Sequence, residues 1–440
     1  AQIEAAHEIG VKTPVYLSAG YDEKSAFRHP EWLVRRENGQ TWWITDFMTP
    51  GYHKLCMNSP YLDCLLEQIK EVCENYDADG IFLDIVGVQP CYCNNCLAGM
   101  RKQGLNPENK HDVYEFAQNV YLNYMQKVRE AVDFVDPDMG VFHNSGDVVV
   151  GKRELNGFNS HFEIEALPTG GWGYIHFPSS ARYVQNLGMD YLGMTGKFHN
   201  NWGEFGGYKL ANALKYEVSL AAAMGAKSSI GDQLHPGGKM DEATYRLIGE
   251  AYAQLEEKEE WLDNVKQIVD IGFLSSKGHL NSLDIELSDE SYQTDVGGVR
   301  ILLQGKYLFD VIDRFNDFEC YKVIILPDII SIDKALRGKL ESFVKNGGKL
   351  LASGRSGISD TKDEFVFDFG AEYIGKNPYQ PDYFRPKFEI DDMYDQTSFA
   401  YTLTPSAILG RLIKWGWIRS DFDEKLNTYV IAFPQYSQMY

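Results

Sequence analysis

Six short apolar runs recur over the first 261 residues, and each ends in residues that can do chemistry. They are Val11–Leu17, Ile81–Ile85, Met139–Asn144, Gly157–Glu165, Tyr191–Thr195 and Lys227–Asp232. Segments with helical periodicity stand among them: Ala1–Ile9, Pro60–Asn75, Val113–Val135, Tyr208–Met224 and Asp241–Trp261. In Pro60–Asn75, for instance, Leu62, Leu65, Leu66, Ile69 and Val72 fall on one helical face. Strand, polar loop and helix in this order make a parallel sheet with covering helices. Polar groups at strand C-termini are where a (β/α)8 TIM barrel carries its active site. The reading is therefore an α/β protein with a TIM barrel over 1–264, opening mid-helix with its first two strands before Ala1. The alternative is an open, doubly wound sheet.

The pattern changes after Val265. Val299–Leu303, Val323–Leu326 and Lys349–Ala352 read as buried strands, with Phe309–Arg314 and Ile332–Asn346 as helices between them. This predicts a flavodoxin-like α/β domain over 265–368. It lacks a Gly-rich phosphate fingerprint and so reads as structural or oligomer-forming. Residues 369–440, rich in Tyr, Phe and Pro, are expected to be a β-rich and incomplete segment.

A net charge of −21 argues against nucleic acid and anionic membranes as partners. No apolar stretch is long enough for a membrane-spanning helix. Seven cysteines, an odd number with three clustered, suit reduced thiols and a metal site better than a disulfide framework. They point to a cytoplasmic protein, although the mid-helix start leaves a signal peptide open.

The densest chemistry lies in Tyr76–Cys96. Asp84 closes the apolar run Ile81–Leu83, and a carboxylate there is costly to bury without a task or a partner. Cleaving a glycosidic bond needs two carboxylates across it. The second is sought in Ser160–Glu165, where period-two alternation puts His161, Glu163 and Glu165 on one face and Phe162 and Ile164 on the other. Glu165 is nearer the C-terminal rim and is favoured as acid/base, with Glu163 as the alternate. A buried ion-pair network is the structural explanation for either. Candidate substrate contacts are Tyr16, His29, Trp32, His143, Asn144, His161, Trp172, Trp202, Glu204, Asp232 and His235. Core packing, capping or turn roles are the competing explanations for these residues. Cys91, Cys93 and Cys96 need a fourth ligand for a tetrahedral thiolate zinc site. Cys56, in a loop expected on the same face, can supply it, whereas Cys64 and Cys73 read as helix-core residues.

In order along the chain, His29–Trp32 (HPEW), Leu55–Tyr61 (LCMNSPY), Asp79–Asp84 (DGIFLD), Cys91–Cys96 (CYCNNC), Phe162–Pro168 (FEIEALP) and Gly231–Pro236 (GDQLHP) form a recognisable series. The series resembles the hypothetical glycosyl hydrolases related to family 42 β-galactosidases and family 151 α-L-fucosidases. The segment from Gly297 to Gly357 resembles the trimerisation domain that follows the barrel in that group. Family 42 often carries a four-cysteine zinc site with the same C-x-C-x-x-C cluster. One departure is that family 42 uses a glutamate after an asparagine on the fourth strand, where this chain has Asp84. An aspartate there is the pattern of α-L-fucosidases. The resemblance thus implies a retaining exo-glycoside hydrolase of α-L-fucosidase type, with Asp84 as nucleophile. It also implies a structural zinc, no cofactor for the chemistry, a carbohydrate substrate and a homotrimer. The alternatives are a β-galactosidase-like enzyme and a non-catalytic carbohydrate-binding relative.

Overall fold

The computed structural model describes residues 1–43, 48–49, 51–204, 206–262, 265–285, 287–375, 420–421 and 429–430. It divides into two compact units, one of residues 1–164 and 189–191, the other of residues 165–188 and 192–440.

The first unit runs α1 (Gln2–Glu8), β1 (Val15–Ser18), α2 (Glu23–Arg28), α3 (Tyr61–Asn75), β2 (Gly80–Asp84), α4 (Asn94–Gln103), α5 (Lys110–Asp133), β3 (Gly140–His143), α6 (Arg153–Asn156) and into β4 (Phe162–Glu165). β1, β2 and β3 form a parallel sheet in that order. Tyr16 pairs with Phe82 and Ser18 with Asp84, while Phe82 pairs with Phe142 and Leu83 with His143. Alternation then sorts the side chains. Ile81, Leu83 and Val141 are buried in one cluster with Leu65 and Ile69 of α3 and Tyr124 and Val128 of α5. Each fully buried aliphatic side chain contributes about 1.5–3 kcal/mol. The other face carries a row of rings. Tyr16 stacks on Phe82 at 5.7 Å, Phe82 meets Phe142 at 5.3 Å, and Phe142 meets His161 at 5.4 Å.

His143 lies on the helix side of this sheet. Its ring is 3% exposed and edge-on to Tyr124 at 5.3 Å, with Nδ1 3.2 Å from the Tyr124 hydroxyl. Cys64 is exposed, a correction to its expected core position: α3 turns it outward beside the buried Leu65.

The second unit contains α7 (His176–Val184), β5 (Tyr191–Gly196, entering from the first), α8 (Ala211–Ala223), β6 (Lys227–Gly231) and α9 (Glu242–Glu256). β5 and β6 are parallel, and Leu214 and Val218 of α8 pack with Ala251 of α9. Next come β7 (Ile271–Leu274), α10 (Ser276–Ser282), α11 (Asp289–Gln304), β8 (Phe309–Ile312), β9 (Val323–Leu326), α12 (Lys334–Lys345) and β10 (Lys349–Ala352). Their strands form a parallel sheet in the order β10-β9-β7-β8. Parallel strands joined by helices in this way are the pattern of a flavodoxin-like domain.

Two expectations here are reversed. Val299–Leu303 is helical, within α11. Ser288 caps that helix and exchanges bonds with Ser291, while Val299 and Leu302, three apart, are the buried pair. A short, mostly apolar segment does not distinguish a buried strand from a buried helix face. Phe309–Arg314, expected as helix, begins with β8. Its Asp310 disguised the strand, and it is buried because the Tyr321 hydroxyl donates to it at 2.9 Å. The expected β-rich segment 369–440 lies largely outside the described residues. Within it, Ser420–Asp421 pairs antiparallel with Tyr429–Val430.

His143 generates a prediction about pH. Burial, aided by the charge of Arg129, pushes its pKa from the ordinary 6.5 down to about 3. The unfolded chain therefore takes up this proton first, and stability falls as pH drops from 6.5 towards 3, by about 1.4 kcal/mol per pH unit. Unfolding free energies from urea titrations should show the wild type losing about 2–3 kcal/mol more than His143→Gln between pH 7 and 4.5.

Candidate active site and cysteine cluster

Asp84 is held from three sides. Tyr16 of β1 donates its hydroxyl to Oδ2 at 2.6 Å, Asn144 after β3 donates Nδ2 to Oδ1 at 2.8 Å, and Ile85 N–H donates to Oδ1 at 2.9 Å. Each of these three groups is a donor, and together they come from three neighbouring strands. The Asp84 main-chain carbonyl is also used, accepting from Ala19 N–H at 3.1 Å and Gly20 N–H at 3.2 Å. The next residue, Ile85, has φ +64°. A β-branched residue in the left-handed region is strained, and such strain gathers at functional sites. Gly20 is required beside it, since a Cβ there would lie 1.9 Å from the Ile85 carbonyl oxygen.

In β4, Phe162 and Ile164 are buried, and Glu163 and Glu165 are half-buried between them. His161 Nε2 lies 2.9 Å from Glu163 Oε1. Just past β4, Ala166 N–H donates to the Met194 carbonyl of β5 at 2.7 Å.

The structure thus brings Tyr16 and Asn144 onto Asp84, and His161 onto Glu163. His143 faces away from this group, buried against α5, so its place is in packing. His29 and Trp32 stack on one another at 3.8 Å, and Trp32 also packs on the core of the first unit. Trp172 meets His176 edge-on at 4.8 Å. Trp202 lies over the C-terminal ends of β5 and β6: a Cβ on Gly231 would stand 2.3 Å from its ring, and one on Gly196 3.0 Å. Glu204 turns back on its own loop and accepts from Asn200 N–H at 2.6 Å. Asp232 is half-buried at the end of β6, and the exposed His235 accepts from Gly237 N–H at 3.2 Å.

Sequence reasoning missed a buried cation in the second unit. Lys209 Nζ lies 2.6 Å from Glu217 Oε2, with side chains 0% and 5% exposed. Thr195, at the end of β5, donates to the same carboxylate oxygen at 2.6 Å. Burial draws the Lys209 pKa down, opposed by Glu217. No spacing rule links a loop lysine to an acid eight residues later in a helix.

Cys56, Cys91, Cys93 and Cys96 are all buried, with sulfurs within 4.8 Å of one another. Cys56 Sγ is 3.4 Å from Cys96 Sγ and 3.7 Å from Cys93 Sγ. Four thiolates bound tetrahedrally at about 2.3 Å place their sulfurs about 3.8 Å apart, so the quartet fits a metal ion. Main-chain N–H groups of Asn58 and Cys93 donate to Cys56 and Cys91, each at 3.4 Å, as outer-shell donors to thiolates do.

Residues 1–85 match the family model of hypothetical glycosyl hydrolase 6, and residues 300–371 that of the β-galactosidase trimerisation domain. The structure of α-L-fucosidase isoenzyme 2 from Paenibacillus thiaminolyticus superposes with a TM-score of 0.83 at 51% identity, over 90% of this chain and 59% of the fucosidase. The chain thus spans less than two thirds of that relative. The β-galactosidase from Bacillus circulans sp. alkalophilus superposes with a TM-score of 0.66 at 15% identity, over 81% of this chain and 63% of that one. Beta-galactosidase Pbg from Clostridium perfringens is 43% identical over 54 residues, 12% of this chain and 8% of the relative. The fold is the α/β one of TIM-barrel glycosidases followed by a trimerisation domain. In sequence and in fold, the chain is related to the glycosyl hydrolases of the α-L-fucosidase and β-galactosidase group.

Proposed function

We propose that the protein is a retaining exo-glycoside hydrolase of α-L-fucosidase type. The carboxylate of Asp84, fixed by donors from Tyr16, Asn144 and Ile85 at a strained strand end, carries this reading. A nucleophile must be aimed before it reacts, and positioning of this kind supplies much of a catalyst's advantage. Oδ2 is the oxygen that attacks the anomeric carbon. Asn144 and Ile85 hold Oδ1, and Tyr16 steadies the attacking oxygen. Glu165 is assigned to protonate the departing oxygen and then to activate water, with Glu163 as the alternate. The contact between Glu163 and His161 suits a supporting carboxylate. A retaining mechanism asks for carboxyl groups about 5–5.5 Å apart. Trp172, Trp202, Glu204, Asp232, His235, His29 and Trp32 are kept as candidate contacts to sugar. The 51% identity to an α-L-fucosidase favours that sugar. The match of 300–371 to a β-galactosidase domain favours β-galactoside cleavage as the second reading.

The reading assigns catalysis to 1–264 and trimer formation to 265–368. The cysteine quartet is assigned a structural zinc, held by Cys56, Cys91, Cys93 and Cys96 with no position left for water. The chemistry needs only carboxylates. Among the described residues no helix is long and apolar enough to cross a membrane, and unpaired thiols favour the cytoplasm.

Two measurements test this. Asp84→Asn should lower kcat on an aryl α-L-fucoside by three or more orders of magnitude with its thermal midpoint little changed; retention of turnover would remove Asp84 as nucleophile. Elemental analysis should find about one zinc per chain. Cys93→Ser should lose it, and its thermal midpoint should fall by about 5–10 °C.

A further inference from the structure

Near Asp84 stands Tyr21, which the mechanism does not use, and a second tyrosine, Tyr52, stacks on it. Tyr21 follows Gly20, whose N–H is bonded to the Asp84 carbonyl at 3.2 Å. Its ring is stacked on Tyr52 at 5.7 Å with the planes 9° apart. The residue after Tyr52 is held in place. His53 N–H donates to Glu23 Oε1 at 2.6 Å, His53 Nδ1 lies 3.1 Å from Glu23 Oε2, and the His53 ring meets Trp43 edge-on at 4.6 Å. Tyr21 is half-buried, whereas Tyr52 is 55% exposed. Tyr21 therefore backs the ring of Tyr52, a residue more than half exposed to solvent. Among the described residues neither hydroxyl has a hydrogen-bond partner. Burial first, and then the charge of Asp84, raises the Tyr21 pKa above its ordinary value, so the carboxylate lies within electrostatic reach of the phenol.

We infer that Tyr52, backed by Tyr21, is the platform on which the ring of the leaving group stacks, an aryl or pyranose ring one bond beyond the sugar attacked by Asp84. The inference rests on the glycosidase reading above. An enzyme that takes a terminal sugar encloses that sugar and leaves the remainder of the substrate at the rim. A rigid, half-open aromatic ring at the rim suits the flat apolar face of a second ring. Packing alone accounts poorly for a stacked pair whose outer member is more than half exposed and whose next residue, His53, is tied to Glu23.

The test separates ring-dependent binding from everything else. In the full chain carrying Asp84→Asn, which cannot turn over, titration calorimetry compares 4-nitrophenyl α-L-fucoside with methyl α-L-fucoside. Adding Tyr52→Ala should weaken the aryl ligand about tenfold and the methyl ligand less than about twofold, and Tyr52→Phe should restore the aryl affinity. In the active protein, Tyr52→Ala should lower kcat/KM for the aryl fucoside about tenfold and leave α-L-fucosyl fluoride, whose leaving group has no ring, unchanged. An equal loss on both ligands, or no loss on either, overturns the platform and leaves the glycosidase reading intact. Failure of the Asp84→Asn chain with Tyr52 intact to bind either fucoside overturns both.

Discussion

A carboxylate at the end of a buried strand has to be satisfied, and around Asp84 that requirement organises the neighbouring chain. The side chain takes its donors from β1, from the residue after β3, and from its own following peptide. The main-chain carbonyl takes two more from Ala19 and Gly20. The same bonds that orient the carboxylate therefore also join the exits of the three strands. The left-handed Ile85 costs about 1–3 kcal/mol, an amount that these hydrogen bonds together can offset. Gly20 is part of the arrangement, because any side chain there would occupy the space of the Ile85 carbonyl.

The cysteine quartet borders the same region. Cys91 is seven residues beyond Asp84, and Cys56 lies in the segment that precedes α3. Holding Cys56 to Cys91, Cys93 and Cys96 ties the loop after β1 to the loop after β2 at a second point. Gly20, Ile85, Cys56, Cys91 and Cys96 line one cavity of the first unit, so loss of the clip would loosen the wall that supports the strained turn. A metal ion held by these four sulfurs would stabilise the region, because the unfolded chain has no preformed site.

Much of this was legible in the sequence, for definite physical reasons. Period-two alternation is a rigid property of a strand, so counting residues alone separates Glu163 and Glu165 from Phe162 and Ile164. Clustered thiols with a fourth upstream likewise announce themselves. The swap of Val299–Leu303 and Phe309–Arg314 had a different cause: both are short segments that mix apolar and charged residues, and only partners distant in sequence decide whether such a segment turns or extends. His143 shows the limit of reading a strand end. It directly precedes Asn144, and that single step of alternation turns it from the Asp84 face to the helix layer. The Tyr21–Tyr52 stack and the Lys209–Glu217 pair depend on loop paths that no periodicity encodes.

The Lys209–Glu217 pair also shows how the second unit holds its own loops. Removing two charges from water is expensive, and such a pair is often no better for stability than well-packed apolar side chains. This one adds a hydrogen bond from Thr195 to the carboxylate and from Lys209 to the Thr195 hydroxyl, both at 2.6 Å, so its geometry closes. Lys209 N–H also donates to the Lys197 carbonyl at 2.8 Å. The loop from Lys197 to Lys209, which carries Trp202 and Glu204, is thereby closed at its base and anchored to α8. Cost without a stability gain is reasonable where position matters more than energy. A broken pair would leave one buried charge alone at the end of β5, so the loop cannot come away without a large penalty. As at Asp84, polar groups whose hydrogen bonds can close in one arrangement only fix the chain at a strand's C-terminal end.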